Sequence, residues 1–125
     1  MPTILLVEDD QPNRDILARR LSRKGYTIVT AATGLEACHM ARGDHPDVVL
    51  MDIGLPDLDG CEATRRLRAD PATQALPIIA LTAHMMPDER EQAIAAGCDE
   101  FHGKPVEFTR LLSQIRTLLQ RDNPS

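Results

Sequence analysis

Short apolar runs recur along this chain, and each gives way to polar residues at its end. Ile4-Leu5-Leu6-Val7 runs straight into Glu8-Asp9-Asp10, and Val48 to Met51 runs into Asp52. Pro77-Ile78-Ile79-Ala80-Leu81 runs into Thr82-Ala83. Continuous apolar runs of this length read as strands covered on both faces. The β-branched stretch Tyr26 to Thr30 predicts another strand, and Asp99 to Gly103 a fifth, placed by position as much as by composition.

Between the strands the spacing turns helical. Asp10 suits the cap of a first helix and Pro12 its first turn; Ile16, Leu17 and Leu21 form the apolar stripe, Arg14, Arg19 and Arg20 face water, and Gly25 stops it. Thr33 and Glu36 fit a capping box that opens a second helix reaching about Ala41. Cys61, Thr64 and Leu67 mark one face of a third helix, with Arg65, Arg66 and Arg68 on a solvated face, and Asp70-Pro71 ends it. Pro87 opens a fourth helix, with Asp88, Glu89 and Glu91 near its positive end, and Gly97 closes it. Phe108, Leu111, Leu112, Ile115, Leu118 and Leu119 give the cleanest amphipathic stripe of all.

Strand and helix therefore alternate five times with short connections. That pattern predicts an α/β fold: a parallel five-stranded sheet with helices on both faces, a (βα)5 three-layer sandwich of flavodoxin-like order 2-1-3-4-5. A length of 125 residues suits one domain, expected over residues 1–120 with a flexible polar tail at 121–125.

Composition sharpens this picture. Apolar residues make up 42% but aromatics only 2%, so the core must be aliphatic and the chain has few platforms for stacking bases. A net charge of -5 is the wrong sign for direct nucleic-acid binding. No apolar run is long enough to cross a bilayer, and the N-terminus has neither the basic region nor the cleavage site of a signal peptide. Cys38, Cys61 and Cys98 are scattered and odd in number, as expected of covered thiols in a reducing cytoplasm. His39, His45, His84 and His102 have no metal-ligand spacing and read as surface residues.

The candidate chemistry lies at the strand ends. In the expected order, strands one and three are neighbours, so Glu8, Asp9 and Asp52 converge on one crevice, joined by Thr82 and Lys104 from strands four and five. Three clustered carboxylates need positive charge, and hard oxygen donors suit Mg²⁺. A cation, an ammonium and a hydroxyl can together hold the oxygens of a transferring phosphoryl group, and a carboxylate can be its nucleophile. Asp52, between the metal ligands and Lys104, takes that role. The crowding should also raise at least one carboxylate pKa when no metal is bound.

Val7-Glu8-Asp9-Asp10, Met51-Asp52, Leu55-Pro56, Asp59-Gly60, Leu81-Thr82-Ala83 and Lys104-Pro105 together resemble the motif set of the response-regulator receiver domain, over about Thr3 to Leu119. The resemblance implies that Asp52 accepts phosphate from a sensor histidine kinase or a histidine phosphotransfer protein. It implies that Asp9 binds Mg²⁺ directly, Glu8 mainly through water, and the Gly54 carbonyl as a third ligand. Thr82 and Ala83 would border the phosphoryl oxygens, with Lys104 pairing with one of them. Phe101 would be the rotating aromatic switch, and the bond before Pro105 would be cis. The face of the fourth helix, fifth strand and fifth helix would then change its affinity for a downstream protein target. Gly54 and His84 depart from the commoner pattern where they border the phosphoryl group, and so bear on the lifetime of the phosphorylated state. The chain would be a signalling protein rather than an enzyme acting on a separate substrate.

Rival readings are a phosphorylation-independent pseudo-receiver, which usually lacks an acidic ligand, the acceptor or the lysine, and a receiver fragment of a hybrid histidine kinase. A start just before the first strand and a short tail favour a free-standing receiver. Asp57-Leu58-Asp59-Gly60 resembles the opening of haloacid-dehalogenase-type phosphatases, but Leu55-Pro56 precedes it where an apolar strand should stand. A flavin-binding flavodoxin is excluded because Glu8-Asp9-Asp10 would repel the cofactor phosphate.

Overall fold

The computed structural model describes residues 2–55, 58–83 and 87–121, with only the backbone of residues 87 and 121. Pro56, Asp57, His84 and the tail beyond residue 121 lie outside the described residues, and so do the roles expected of them.

Five strands and five helices alternate: β1 (Thr3–Val7), α1 (Gln11–Arg23), β2 (Thr27–Ala31), α2 (Gly34–Asp44), β3 (Val48–Asp52), α3 (Gly60–Ala69), β4 (Ile78–Thr82), α4 (Pro87–Ala96), β5 (Glu100–Gly103) and α5 (Phe108–Arg121). The sheet is parallel throughout, in the order β2-β1-β3-β4-β5. This is the flavodoxin-like arrangement expected from the alternation. β3 and β4 are buried along their whole length, which is why they read as unbroken apolar runs.

Successive strand residues point to opposite faces, and the two faces are packed differently. Leu5, Val7, Val49, Met51, Ile78 and Ala80 meet small residues of α2, α3 and α4, among them Ala37, Ala41, Ala63, Ala93 and Ala96. Ile4, Leu6, Val48, Leu50, Ile79 and Leu81 meet Leu21 of α1 and Leu111, Leu112, Ile115 and Leu118 of α5. Small residues let three helices approach one face closely, whereas branched side chains fill the volume under two. The near-absence of aromatics is met in this way, with aliphatic layers.

Capping explains most helix starts. Asp10 accepts from the Asn13 amide at 3.0 Å, Thr33 from Glu36 at 3.1 Å and Asp59 from Glu62 at 2.9 Å. The Glu36 carboxylate reaches the amide of Ala32 at 3.2 Å, one residue ahead of the cap. α2 also continues to Asp44, past the expected Ala41, and closes on His45 in the left-handed region (φ 48). Gly25 (φ 96) and Gly97 (φ 116) follow α1 and α4 in conformations that favour glycine.

Four assignments of exposure are corrected, one outward and three inward. Ile16 is 57% exposed and lies off the α1 stripe, because Leu17 and Leu21 already fill the space against the sheet. Arg14 is half-buried and donates to the Glu8 carbonyl at 2.8 Å. Arg68 folds inward and donates to the carbonyls of Gly97, Gln74 and Leu76 and to the Asp99 carboxylate. Five N–H groups in a planar fork suit that many acceptors. His102 is wholly buried on β5, and its ring is hydrogen-bonded through both nitrogens. Cys38 is half-buried, Cys61 and Cys98 are buried, and all three are free thiols, as expected.

Candidate functional site

The carboxyl ends of β1, β3, β4 and β5 open onto one crevice of about 550 Å³. Sheet register sets its floor. Val7 pairs with Met51, so one step on Glu8 and Asp52 stand side by side. Asp52 in turn pairs with Leu81, and Thr82 with Gly103. Strand pairing alone therefore gathers residues that are distant in sequence.

Oxygens of Glu8, Asp9 and Asp52 lie within 4.8 Å of one another. Glu8 and Asp52 are 4% and 5% exposed, while Asp9 is open to solvent. The Lys104 ammonium is 3.1 Å from Glu8 Oε2 and 3.1 Å from Asp52 Oδ2. The Gly54 amide donates to Asp52 Oδ1 at 3.0 Å. Both Asp52 oxygens thus have a donor, and the side chain is held in one orientation. Thr82, Ala83 and Gly54 also line the crevice.

These contacts divide the charge unequally. Burial, reinforced by the neighbouring Asp52, pushes the Glu8 carboxyl up to about 7. Burial also acts to raise Asp52, but its bonds to Glu8, Gly54 and Lys104 outweigh it and hold the carboxyl below the usual range. Burial would lower Lys104, yet the two carboxylates keep its pKa above the ordinary lysine value. At neutral pH the trio is an ionised Asp52, a half-buried ammonium and a Glu8 that readily takes a proton. The crowding expected from sequence is therefore present, and Glu8 carries it.

The donor set fits a hard divalent cation: three carboxylates, one open to water, with oxygens close enough to share one ion. An ion there would replace the proton that Glu8 otherwise attracts.

Two expected site residues stand apart from the crevice. Phe101 is half-buried on β5 and packs against the cluster that includes Ala93 and Ala96 of α4. The Lys104-Pro105 bond is cis, and Pro105 faces a groove lined by Leu17, Arg20 and Val106.

Several residues at the site have no signal in the strand-end pattern. Arg14 reaches the Glu8 carbonyl from the first turn of α1, a contact six residues along that no short motif encodes. Asp59, Cys61, Arg65 and Gln92 form part of the crevice wall. Gly60 supports its floor: its amide donates to the Ile53 carbonyl at 3.0 Å. A Cβ there would fall against the Asp52 carbonyl and 2.8 Å from Ile53 Cα. The glycine after Asp59 was legible as part of a motif, but its close approach to the backbone of Asp52 was not.

The response regulator receiver domain family matches the chain over residues 4–116. Response regulator MprA of Mycobacterium leprae (strain TN) is 41% identical over 97% of this chain and 52% of that protein. The chain spans about half the length of the curated relatives it matches. The receiver domain of sensor histidine kinase PA1611 from Pseudomonas aeruginosa PAO1, with a magnesium ion coordinated in its active-site cleft, is 35% identical with a TM-score of 0.89, over 95% of this chain and 98% of that one. The signal receiver domain of a DNA-binding response regulator from Colwellia psychrerythraea 34H is 30% identical with a TM-score of 0.88, over 96% and 99% of the two chains.

Proposed function

The chain belongs to the response-regulator receiver-domain family, and on that footing we propose that Asp52 is its phosphoacceptor. One observation carries the reading: a single ammonium, Lys104, lies 3.1 Å from Asp52 and 3.1 Å from Glu8 at the mouth of the sheet. An orienting amide from Gly54 completes the arrangement.

In this proposal the donor is a phosphohistidine on a sensor histidine kinase or a phosphotransfer protein. The carboxylate of Asp52 attacks phosphorus, the P–O bond forms and the P–N bond to imidazole breaks. The leaving imidazole retains the electron pair. Asp52 needs no base, since it is already ionised at neutral pH. Lys104 then moves from the carboxylate to a phosphoryl oxygen, while the Thr82 hydroxyl and the Ala83 amide offer donors for others. Glu8, Asp9, Asp52 and the Gly54 carbonyl would hold Mg²⁺. That ion would offset charge on the phosphoryl oxygens. The magnesium-bearing cleft of the Pseudomonas receiver supports this choice of ion.

The output is proposed to be a shift in protein affinity at the face of α4, β5 and α5, with Thr82 and Phe101 linking it to the crevice. Thr82→Ala should still take a phosphoryl group but lose most of the response of that face, read as partner binding by the phosphorylated chain.

Incubation with Mg²⁺ and a small acyl phosphate tests the central claim by intact mass. Wild type should gain one phosphoryl group and Asp52→Asn none. No gain in wild type would overturn the proposal and leave a phosphorylation-independent interaction module.

A further inference from the structure

β5 carries a histidine in register with the apolar Leu81 of β4. His102 is fully buried, and both of its ring nitrogens are engaged. Nε2 accepts from the backbone N–H of Glu107 at 3.1 Å, and Nδ1 is 2.9 Å from Gln114 Oε1. An amide N–H can only donate, so Nε2 is bare and Nδ1 carries the proton it gives to Gln114. The amide of Gln114 donates in turn to the Phe101 carbonyl at 3.2 Å. Glu107 caps α5, its carboxylate accepting from the Arg110 amide at 3.0 Å. The bond between Glu107 and His102 thus closes a loop over residues 103–106. Within that loop the Lys104 amide donates to the Thr82 carbonyl at 2.6 Å. β4 holds one side of the turn and the buried imidazole holds the other.

We infer that His102 is a positioning residue: by fastening the start of α5 to β5, it fixes the turn that delivers the Lys104 ammonium to Asp52 and Glu8. The inference rests on the reading of Asp52 as phosphoacceptor, and it adds a group that never touches the reacting atoms.

An imidazole gives this fastening a pH signature that an apolar or amide side chain lacks. A charged ring would turn a second N–H toward the Glu107 N–H, at the positive end of the α5 dipole. Burial draws the ring below its ordinary 6.5, Gln114 acts against this, and Arg110 of α5 and the capping Glu107 exert smaller opposing influences. Glu100 reaches the network through Gln114 at 3.5 Å, and Lys104 lies two residues along the chain, just past the end of β5. β4 presents uncharged Leu81 in register with His102.

Two variants separate position from packing. In His102→Gln the side-chain oxygen can accept from Glu107 at every pH. His102→Leu fills the space but leaves that amide unpaired. Phosphoryl uptake from a small acyl phosphate is measured for all three proteins between about pH 5.5 and 8. At the alkaline end, His102→Gln should match wild type, and His102→Leu should be about tenfold slower. Below 6.5 the ratio of wild type to His102→Gln should fall as the ring charges. Titration of Glu8 and Asp52 cancels in that ratio, because both proteins carry them. A ratio that stays flat across the pH at which NMR shows the ring charging, or a His102→Leu variant as fast as wild type, would overturn the inference. Should His102→Leu not fold, amide exchange at Glu107 in wild type decides. Exchange that quickens with ring protonation supports the fastening, and exchange unmoved by it refutes it. If wild type takes up no phosphoryl group at any pH, the phosphoacceptor reading fails, while the Glu107 exchange still tests the hold of His102 on the turn.

Discussion

Glu8 takes its character from two neighbours of opposite sign. Asp52 pushes its pKa up and Lys104 pulls it down, over the larger effect of burial. Removing the charge at residue 52 should therefore lower it. In Asp52→Asn the Glu8 carboxyl should titrate clearly below about 7, read by carbon-13 NMR of the side chain; an unchanged midpoint would show that Asp52 contributes nothing to the shift. The sign for stability follows from linkage. A carboxyl whose folded pKa lies above its unfolded 4.5 favours the fold at low pH, and that contribution is lost as pH rises from 4.5 to about 7. Arg68 is the second residue whose surroundings decide its effect. Its guanidinium serves three carbonyls and Asp99 and is 22% exposed. Arg68→Leu should cost about 2–3 kcal/mol by leaving covered acceptors unpaired, measured by urea denaturation. Arg68→Lys should recover only part, since an ammonium cannot reproduce the fork.

Elements meet the site through close backbone approaches, and α3 shows how. Its first residue, Gly60, lies against the end of β3 with no room for a Cβ. Gly60→Ala should push the helix away from the Asp52 backbone, cost about 1–3 kcal/mol and slow phosphoryl uptake. A variant with wild-type stability and uptake would show that α3 yields without disturbing Asp52. The same element marks where sequence reading stops. Cys61, Thr64 and Leu67 were legible as its buried face, because helical spacing is a local property. The inward turn of Arg68 was not, because its acceptors come from the segments before β4 and β5, brought close only by the fold. β5 repeats the lesson. Its strand was readable, but a buried histidine looks like a surface one until the chain turns back into α5 and Glu107 and Gln114 supply its partners. The α1 stripe included Ile16 because periodicity cannot tell which of three apolar neighbours the sheet has room for.

Across the whole molecule, the strand order was legible since alternation leaves few right-handed arrangements, and that order delivers Glu8, Asp9, Asp52 and Lys104 to one place. What pattern could not supply was the division of charge among them, which depends on burial and on distances of a few ångströms. A shared ion should tie the whole fold to that place. With Mg²⁺ at a hundredfold excess over its dissociation constant, stability should rise by about 2.7 kcal/mol, seen as a shift of the denaturation midpoint. A chelator should reverse it, and Asp9→Asn should reduce it strongly. An equal shift in Asp9→Asn would place the ion elsewhere. The lopsided packing has a consequence for biosynthesis. One face of the sheet depends on α1 and α5, and α5 contributes Leu111, Ile115 and Leu118, all buried. A nascent polypeptide that has left the ribosome only as far as Gly103 holds every strand yet leaves much of that greasy surface bare. Residue 118 must emerge before it is covered, so the interval between the two is when chaperones are most needed and aggregation is most dangerous.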